Sequence, residues 1–324
     1  MLHLSAMASL QRITILIPLY NEAAVLPLLF ERLDKLQANH SAAIDFLLVD
    51  DGSQDETAQM IEDYAVDKQM YSAIFLSRNF GHSKAITAGL AQISKEADAV
   101  FIMDADLQDP PELLHEFINK MNEGYDVVYG VRTNRKESWL KKFCYHIYYR
   151  WQKKFSNISM PLDAGDFSLI RKNVVQHLQQ MPEESRYLRG LRSWVGYRQT
   201  GIVYERSARH SGKTKYSYRS LFKLAFNGLF NFSEMPIRLI GIAGMIAIVP
   251  SLFYLLLTLY KKLVFGTVPE GFTALIFAIV LFSGVQLLSL GIIGEYVLRI
   301  FFQVKQRPLF IIKSKIIKGK SVNE

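Results

Sequence analysis

The segment Ala99-Val100-Phe101-Ile102-Met103-Asp104-Ala105-Asp106 decides the fold of this chain. Its first five residues are continuously apolar, as expected for a strand buried on both faces of a parallel sheet. The run ends in two carboxylates, Asp104 and Asp106, where the strand opens into a loop. Such oxygens suit a hard divalent cation that also binds substrate phosphates. An isolated pair of carboxylates is more often part of a solvated loop than of a metal site. The surrounding sequence has to distinguish these two explanations.

Further apolar runs alternate with amphipathic stretches between residues 12 and about 130. Ser53 and Glu56 have the spacing of a capping box at the start of the second helix, and Asp109 is placed to cap a later one. This alternation predicts an α/β domain with a Rossmann-like, mostly parallel sheet covered on both faces. Strands are predicted at 13–17, 46–49, 73–76, 99–103 and 126–130.

Polar clusters follow four of the predicted strands, at 20–22, 50–53, 78–84 and 104–108. In parallel α/β sheets, ligands bind beyond the carboxyl ends of the strands. Because the four clusters are predicted to meet at that edge, they indicate a binding site more strongly than Asp104 and Asp106 do alone.

Composition points to a membrane-associated protein. Of the 324 residues, 50% are hydrophobic, and the excess lies in the last third. The net charge of +8 favours an anionic partner, either a membrane surface or nucleic acid. The single cysteine, Cys144, excludes an intramolecular disulfide and a cysteine-based metal cage.

Two apolar stretches are long enough to cross a bilayer, which takes about 20 residues. They run roughly from Ile237 to Tyr260 and from Phe272 to Phe302, and within the second Glu295 and Arg299 are spaced to pair. Two crossings put both chain ends on one side. Because basic residues flank the two stretches, the positive-inside rule places the N-terminal domain and the tail in the cytoplasm.

Two basic, aromatic-rich segments, Trp139 to Phe155 and Lys213 to Phe232, lie before the predicted spans. Their composition is typical of interfacial amphipathic helices, so we favour a membrane over nucleic acid as the partner. The predicted organisation is a catalytic domain, an interfacial amphipathic helix, a two-helix transmembrane domain and a basic cytoplasmic tail, at residues 1–210, 211–235, 236–303 and 304–324.

Several ordered motifs resemble one enzyme family. They are Pro18-Leu19-Tyr20-Asn21-Glu22, Asp50 to Thr57, Arg78 to His82, Asp104 to Glu112, Asp166-Phe167, Arg186 to Gly196 and Arg206 to Ser217. Together they resemble family 2 glycosyltransferases with the GT-A fold. More narrowly, they resemble bacterial polyisoprenyl-phosphate glycosyltransferases, the relatives of dolichyl-phosphate mannose synthase. Ser168 stands where many relatives have arginine, which implies that one arginine contact is missing.

The resemblance implies a nucleotide-sugar site in the N-terminal loops. Pro18 and Tyr20 would shape the base pocket, with Glu22 near the ribose or base. Asp51 or Asp50 would accept a hydrogen bond from a base N–H. Arg78 would meet the diphosphate or the base, with His82 and Lys84 as weaker candidates.

The resemblance also implies a divalent cation, Mg²⁺ or Mn²⁺, that takes up charge developing on the leaving diphosphate. Asp106 would be its direct ligand. Asp104 would bind a metal-bound water or the ribose, and Gln108 would assist. Asp166 occupies the position often given a general-base role; orienting the acceptor or supporting an oxocarbenium-like centre is an open alternative.

The acceptor implied is polyprenyl phosphate, for example undecaprenyl phosphate. A phosphate monoester has a second pKa of about 6 and is largely dianionic near neutral pH, so it attacks without surrendering a proton. Its binding needs cations beside the diphosphate. The candidates for this role are basic residues in two groups, first Arg209, Lys213 and Lys215, then Arg132 and Arg135.

The function implied is transfer of one hexose, with UDP-glucose the best guess for the donor, to the lipid phosphate with inversion. The product would serve cell-envelope glycan modification at the bacterial cytoplasmic membrane, and relatives suggest a homotetramer. Two alternatives stay open at this point: a processive polysaccharide synthase and a non-catalytic membrane scaffold subunit. The segment Arg189 to Trp194 only partly resembles the Q-x-x-R-W signature of processive synthases, which disfavours the first.

Overall fold

The computed structural model describes residues 10–38, 42–133, 164–184, 186–205, 235–266 and 271–322. Four of the predicted acceptor residues and nearly all of the predicted interfacial helix at 211–235 lie outside these ranges. Those four residues are Arg135, Arg209, Lys213 and Lys215.

The predicted strands and helices of the catalytic domain are present, and the chain adds several more. The strands are β1 (Arg12–Leu19), β2 (Ala43–Asp50), β3 (Tyr71–Leu76), β4 (Ala99–Ile102), β5 (Val127–Thr133), β6 (Ala164–Arg171), β7 (Gln199–Glu205), β8 (Ile312–Ile317) and β9 (Lys320–Val322). The helices are α1 (Leu26–Ala38), α2 (Thr57–Ala65), α3 (His82–Ala91), α4 (Leu114–Asn122), α5 (Lys172–Gln180), α6 (Leu188–Trp194), α7 (Met235–Phe265) and α8 (Phe272–Lys305), with a 3-10 turn at Pro111–Leu113 before α4.

The described strands form one sheet in the order β7-β5-β6-β4-β1-β2-β3-β8-β9. Strands β4, β1, β2 and β3 are parallel neighbours, so their carboxyl ends share one edge, as predicted. The prediction of a mostly parallel sheet needs correction, because the sheet is mixed. Strand β6 pairs antiparallel with β4 and β5, and β8 pairs antiparallel with β3 and β9.

Helices cover both faces of the sheet because the apolar strands alternate their side chains between two cores. On β1, Ile15 faces the core under α1, α2 and α4, whereas Leu16 faces the core under α3, α5 and α6. Helix α3 packs especially closely, since a Cβ on Gly89 would lie 2.1 Å from Leu16 Cδ1. Helix α3 is therefore held closely against β1.

Both predicted membrane stretches are helical, α7 with 31 residues and α8 with 34. Within the described residues, one stretch, Leu281–Lys305, is long and apolar enough to cross a membrane, and none of it is buried. The predicted pair within α8 is confirmed, with 2.8 Å between Arg299 Nη2 and Glu295 Oε1.

The C-terminal segment returns to the catalytic sheet, which the sequence analysis did not predict. Helix α8 ends where Gln306 adopts a left-handed conformation with φ of 47°. The chain then runs along β3, where the Ser77 N–H donates to the Ile311 carbonyl at 2.9 Å, and continues as β8. The end of α8 is thereby tied to the catalytic domain.

Candidate active site

The loops after β1 and β2 are joined by hydrogen bonds between side chains and backbone. The Asn21 N–H donates to Ser53 Oγ at 2.9 Å, and the Gln54 N–H donates to Asn21 Oδ1 at 2.8 Å. Ser53 thus holds the first loop, and the predicted capping box with Glu56 is wrong: α2 begins at Thr57 with no side-chain cap from Glu56.

Asp51 joins the second loop to the third. Its two carboxylate oxygens accept the Phe80 N–H at 2.8 Å and the Gly81 N–H at 2.9 Å. Burial raises the pKa of Asp51, and these bonds oppose the rise. Gly52 has φ of 66°, and a Cβ there would lie 2.4 Å from the Arg78 carbonyl carbon, so the two loops approach as closely as backbones allow.

Asp50 turns back on its own loop. It is 2% exposed, and its carboxylate accepts the Ser53 N–H at 3.2 Å. Burial raises its pKa, which the bonds to Ser53 oppose. The side chain therefore fixes the turn that aims Asp51 at the third loop.

The loop after β4 carries the two predicted metal-binding carboxylates. Leu107 adopts a left-handed conformation with φ of 56°, which turns the chain so that the Gln108 N–H donates to Asp106 Oδ1 at 3.2 Å. Asp106 is 8% exposed and the Asp104 side chain is 32% exposed. The pKa of Asp104 is raised by burial, opposed by His82, and raised further by neighbouring carboxylates.

Asp109 does not cap a helix as the sequence predicted. It is fully buried, and it accepts the Tyr204 hydroxyl at 2.5 Å and Arg132 Nη2 at 3.1 Å. The turn before α4 starts at Pro111 without a side-chain cap. Asp109 instead orients Arg132, whose Nη2 lies 3.3 Å from where a Cβ of Gly165 would be.

Strand β6 brings Asp166 to the same edge of the sheet. Ile102 pairs with Ser168 in the antiparallel ladder, and continuing this register places Asp104 opposite Asp166. Arg189 on α6 forms a two-pronged pair with Asp166, donating from Nε and Nη2 at 3.1 Å each. Burial opposes ionisation, but the charges and bonds of Arg189 and His82 hold the pKa of Asp166 well below its usual range.

His82 stands between the two carboxylates. Its Nε2 is 3.6 Å from Asp104 Oδ1 and 3.6 Å from Asp166 Oδ2. Burial alone would lower the pKa of His82, but its interaction with Asp166 and the charge of Asp104 raise it to about 9. His82 is therefore an imidazolium at neutral pH, and it links the start of α3 to β4 and β6.

Arg192 adds a buried cation beside this group. It is 1% exposed, donates from Nη1 to the Gly165 carbonyl at 3.3 Å, and lies 5.2 Å from the Tyr129 ring centre. Within the described ranges of the chain, its Nε and Nη2 have no hydrogen-bond partner. Burial lowers its pKa to about 10, so it stays charged near neutral pH. The start of β6 thus carries an excess of positive charge.

The residues present fit a divalent cation shared with a diphosphate. Among the described residues, no three His, Cys, Asp or Glu side chains converge as a ready-made metal cage. Mg²⁺ commonly uses only one or two carboxylates, with water and substrate phosphates as its other ligands. Asp104 and Asp106 supply two carboxylates. Burial raises the pKa of Asp104 and neighbouring carboxylates raise it further, so a cation bound there would offset both effects.

The remaining predicted donor-site residues lie at the same edge. Pro18 is buried near the end of β1, and Tyr20 and Glu22 are partly exposed just after it. Arg78 is exposed, with its guanidinium 4.1 Å from the Phe80 ring centre. Ser168 is buried and donates to the Asp166 carbonyl, so it does not face the loops.

Sequence reasoning missed the ion pairs around Asp166. The sequence analysis included Arg189 and Arg192 only as part of a weakly matching motif. It included His82 only as a weaker candidate for the nucleotide-sugar site. Their spacing of three residues on a helix places both arginines on one face, a signal that was available in the sequence. Nothing local in the sequence links that face to Asp166, since α5 lies between them.

Comparisons with known proteins identify the family of the chain. Residues 14–179 match the family Glycosyl transferase family 2. An uncharacterized glycosyltransferase of Synechocystis sp. is 39% identical over 93% of this chain and 94% of its own length. A prophage bactoprenol glucosyl transferase homolog of Escherichia coli is 30% identical over 93% of this chain and 98% of its own length. A prophage-derived bactoprenol glucosyl transferase of Shigella flexneri is 32% identical over 93% of this chain and 97% of its own length.

Solved structures are more distant. Glucosyl-3-phosphoglycerate synthase from Mycobacterium tuberculosis aligns with a TM-score of 0.45 and 14% identity, over 67% of this chain and 76% of that one. Likenesses at this level carry no argument about substrate. The family match, the full-length relatives and the mixed, GT-A-like α/β sheet agree, and the chain therefore belongs to glycosyl transferase family 2 and is a glycosyltransferase.

Proposed function

We propose that the enzyme transfers one hexose from a nucleotide-sugar to polyprenyl phosphate at the cytoplasmic membrane face, with inversion. The observation that carries the proposal is the meeting of two unlike groups at one sheet edge. Asp104 and Asp106 suit a metal-bound diphosphate, and the cations around the start of β6 suit a second phosphate. Relatives named bactoprenol glucosyl transferase support this acceptor and glucose as the sugar.

The donor half consists of the loops after β1 to β4. Their backbone is held by the Asn21, Ser53 and Asp51 hydrogen bonds, so the nucleotide meets a preorganised surface. The proposed nucleotide contacts are Pro18, Tyr20, Glu22, Asp50, Asp51, Arg78 and Asp104. Asp106, with Asp104 and Gln108, would hold Mg²⁺ or Mn²⁺, which supplies charge stabilisation for the leaving diphosphate when bound.

The acceptor half lies at the start of β6. A dianionic phosphate needs positive potential more than a base, and a carboxylate whose pKa lies far below neutral is a weak base. We therefore assign Asp166 an orienting role: it fixes Arg189 and His82 where the phosphate arrives. Arg132 is placed beside them, and Arg192 adds positive potential from beneath the surface. Arg135, Arg209, Lys213 and Lys215 remain proposed contacts of the lipid phosphate.

The sheet topology supports two membrane crossings. A hydrogen-bonded sheet lies on one side of a bilayer, because its backbone groups cannot pair across lipid. Strand β7 precedes α7 and β8 follows α8, and both belong to the same sheet. The chain between them therefore crosses an even number of times. With Leu281–Lys305 as one crossing, α7 is the proposed second.

The test is transfer of glucose from UDP-glucose to undecaprenyl phosphate by purified enzyme with Mg²⁺ or Mn²⁺. We expect one sugar per lipid, and Asp106→Ala should reduce the rate at least about 100-fold. Asp63→Ala removes an exposed carboxylate on α2 and should leave the rate unchanged. Full activity of Asp106→Ala in a chelator would contradict the metal role. A polymeric product, or turnover only with another acceptor, would contradict the proposed reaction.

A further inference from the structure

A cavity of about 550 Å³ lies between the catalytic domain and the end of α8. Pockets for small ligands typically have about 300–1,000 Å³. Among the residues that the structure describes, no proposed donor or acceptor residue lines it. Its walls come from α3, the segment after α5, the last turn of α8 and the chain that leads to β8; the residues used below are Glu184, Arg186, Phe302, Gln303, Arg307 and Phe310.

Two arginines give the cavity positive charge. Arg186 is 9% exposed, and its Nη1 and Nη2 donate to the Met181 and Leu178 carbonyls at 2.7 Å each. Its Nε has no hydrogen-bond partner among the residues that the structure describes. In the described part of the chain no carboxylate forms a salt bridge with it; Glu183 acts on it from farther away. A buried guanidinium with an N–H that no described residue uses is available to an anionic ligand.

Arg307 is exposed on the opposite wall and has no ion pair among the described residues. The acidic lining residue, Glu184, is already neutralised, since its Oε1 lies 2.8 Å from Lys84 Nζ. The described lining residues therefore include two cations, Arg186 and Arg307, and one carboxylate, Glu184, which Lys84 neutralises.

The cavity lies where lipid headgroups are expected. The apolar stretch Leu281–Lys305 ends beside it, and Arg307 follows that stretch by two residues. Phe302 and Phe310 line it next to the charges. A lipid offers the matching combination, a phosphate for the arginines and an apolar glyceryl and acyl region for the rings.

We propose that this cavity binds the phosphate headgroup of an anionic phospholipid of the cytoplasmic leaflet. The inference rests on the proposed membrane crossing by α8. The site is separate from the sugar-transfer site and serves to hold the catalytic domain at the membrane surface. Inorganic phosphate shares the headgroup's charge but not its apolar part, so the two sources can be distinguished by experiment.

Hydrogen bonds connect the cavity to the active site. The Gln303 side chain donates to the Pro182 carbonyl at 2.7 Å and accepts the Glu184 N–H at 3.0 Å. Glu184 in turn pairs with Lys84, two residues after His82 on α3. A lipid that fixes the end of α8 therefore also steadies the helix that carries His82.

The experiment measures binding of the full-length enzyme to lipid without using sugar transfer. Protein in detergent is titrated with short-chain phosphatidylglycerol, phosphatidylcholine or inorganic phosphate, and its melting temperature is followed. We expect phosphatidylglycerol alone to raise the melting temperature, and Arg307→Glu to weaken its apparent affinity about tenfold. Lys320→Glu makes the same charge change on β9, outside the cavity, and should retain the wild-type affinity.

Unchanged affinity in Arg307→Glu, or an equal loss in Lys320→Glu, would overturn the site. An equal rise with inorganic phosphate would overturn the lipid assignment. Arg186→Gln is a second test of the site. Because Arg186 also donates to two backbone carbonyls, the substitution lowers stability by itself, so the melting temperature of this variant is compared with and without lipid. Since the readout is binding, loss of the lipid effect is distinguishable from failure of the proposed transfer reaction.

Discussion

The loop after β2 and the start of β6 each place a nearly buried aspartate at the same sheet edge, in opposite electrical settings. Asp51 is held by two neutral backbone N–H groups, and burial raises its pKa. Asp166 is held by the cations Arg189 and His82, and its pKa falls well below its usual range. The first arrangement fixes the backbone of a loop, whereas the second holds two positively charged side chains in place.

The difference matches the two substrates of a lipid-phosphate glycosyltransferase. A nucleotide is read through shape and a few hydrogen bonds, which a rigid loop provides. A second phosphate beside a diphosphate must overcome repulsion, so cations have to be held in place before it arrives. Asp166 keeps Arg189 and His82 together without letting them repel each other.

The largest expected effect comes from Asp166→Asn. The substitution removes the anion between the partly exposed cations Arg189 and His82, which then repel each other. We expect kcat/KM to fall at least about 100-fold, mainly through weaker binding of lipid phosphate. Steady-state kinetics with each substrate varied in turn checks this result. If the KM for the nucleotide-sugar rose and the KM for the lipid phosphate did not, Asp166 would belong to the donor half instead.

Asp51→Asn should have a smaller effect. Asparagine keeps one acceptor oxygen, so one of the two N–H bonds to Phe80 or Gly81 survives, and losing the other costs about 1–3 kcal/mol. We expect about a tenfold rise in the nucleotide-sugar KM with little change in that of the lipid. If the lipid KM changed as much, the separation into two halves would be wrong.

The smallest expected effect is that of Ser53→Ala. It removes the hydrogen bond that Ser53 Oγ accepts from the Asn21 N–H, worth about 1 kcal/mol, and the side-chain hydrogen bond between Ser53 and Asp50. We expect a drop of a few degrees in melting temperature and about a threefold rise in the nucleotide-sugar KM. Gln59→Ala, on the exposed face of α2, is the matched control and should change neither quantity. A loss of activity as large as that of Asp51→Asn would mean that Ser53 contacts the nucleotide.

The sheet edge that carries the proposed donor residues was predictable because its signals are local. Each apolar run ends in polar residues, and parallel strands bring those ends together, so Asp51 and Asp104 were placed correctly at one edge. The ion pair of Asp166 with Arg189 depends on how α6 packs after an intervening helix. No periodicity in the sequence reports such a contact, and the same holds for the buried pair of Asp109 with Arg132.

The mixed character of the sheet was missed for a related reason. Strand β8 pairs with β3 although some 240 residues separate them, as in the ladder partners Ala73 and Ile316. The segment carries Lys313 and Lys315, and it therefore resembled a solvated basic tail. Lysines are common on strands near a sheet edge, so its charge and its strand conformation are compatible.

The position of β8 in the chain also determines when the edge of β3 becomes paired during synthesis. Until α8 has been synthesised, β3 has an unpaired edge, and such edges are prone to pairing with other chains. The ribosome delivers β8 only after both long apolar helices. Completion of the catalytic sheet therefore depends on synthesis of both helices, and a chain that stops before β8 leaves the edge of β3 open and prone to aggregation.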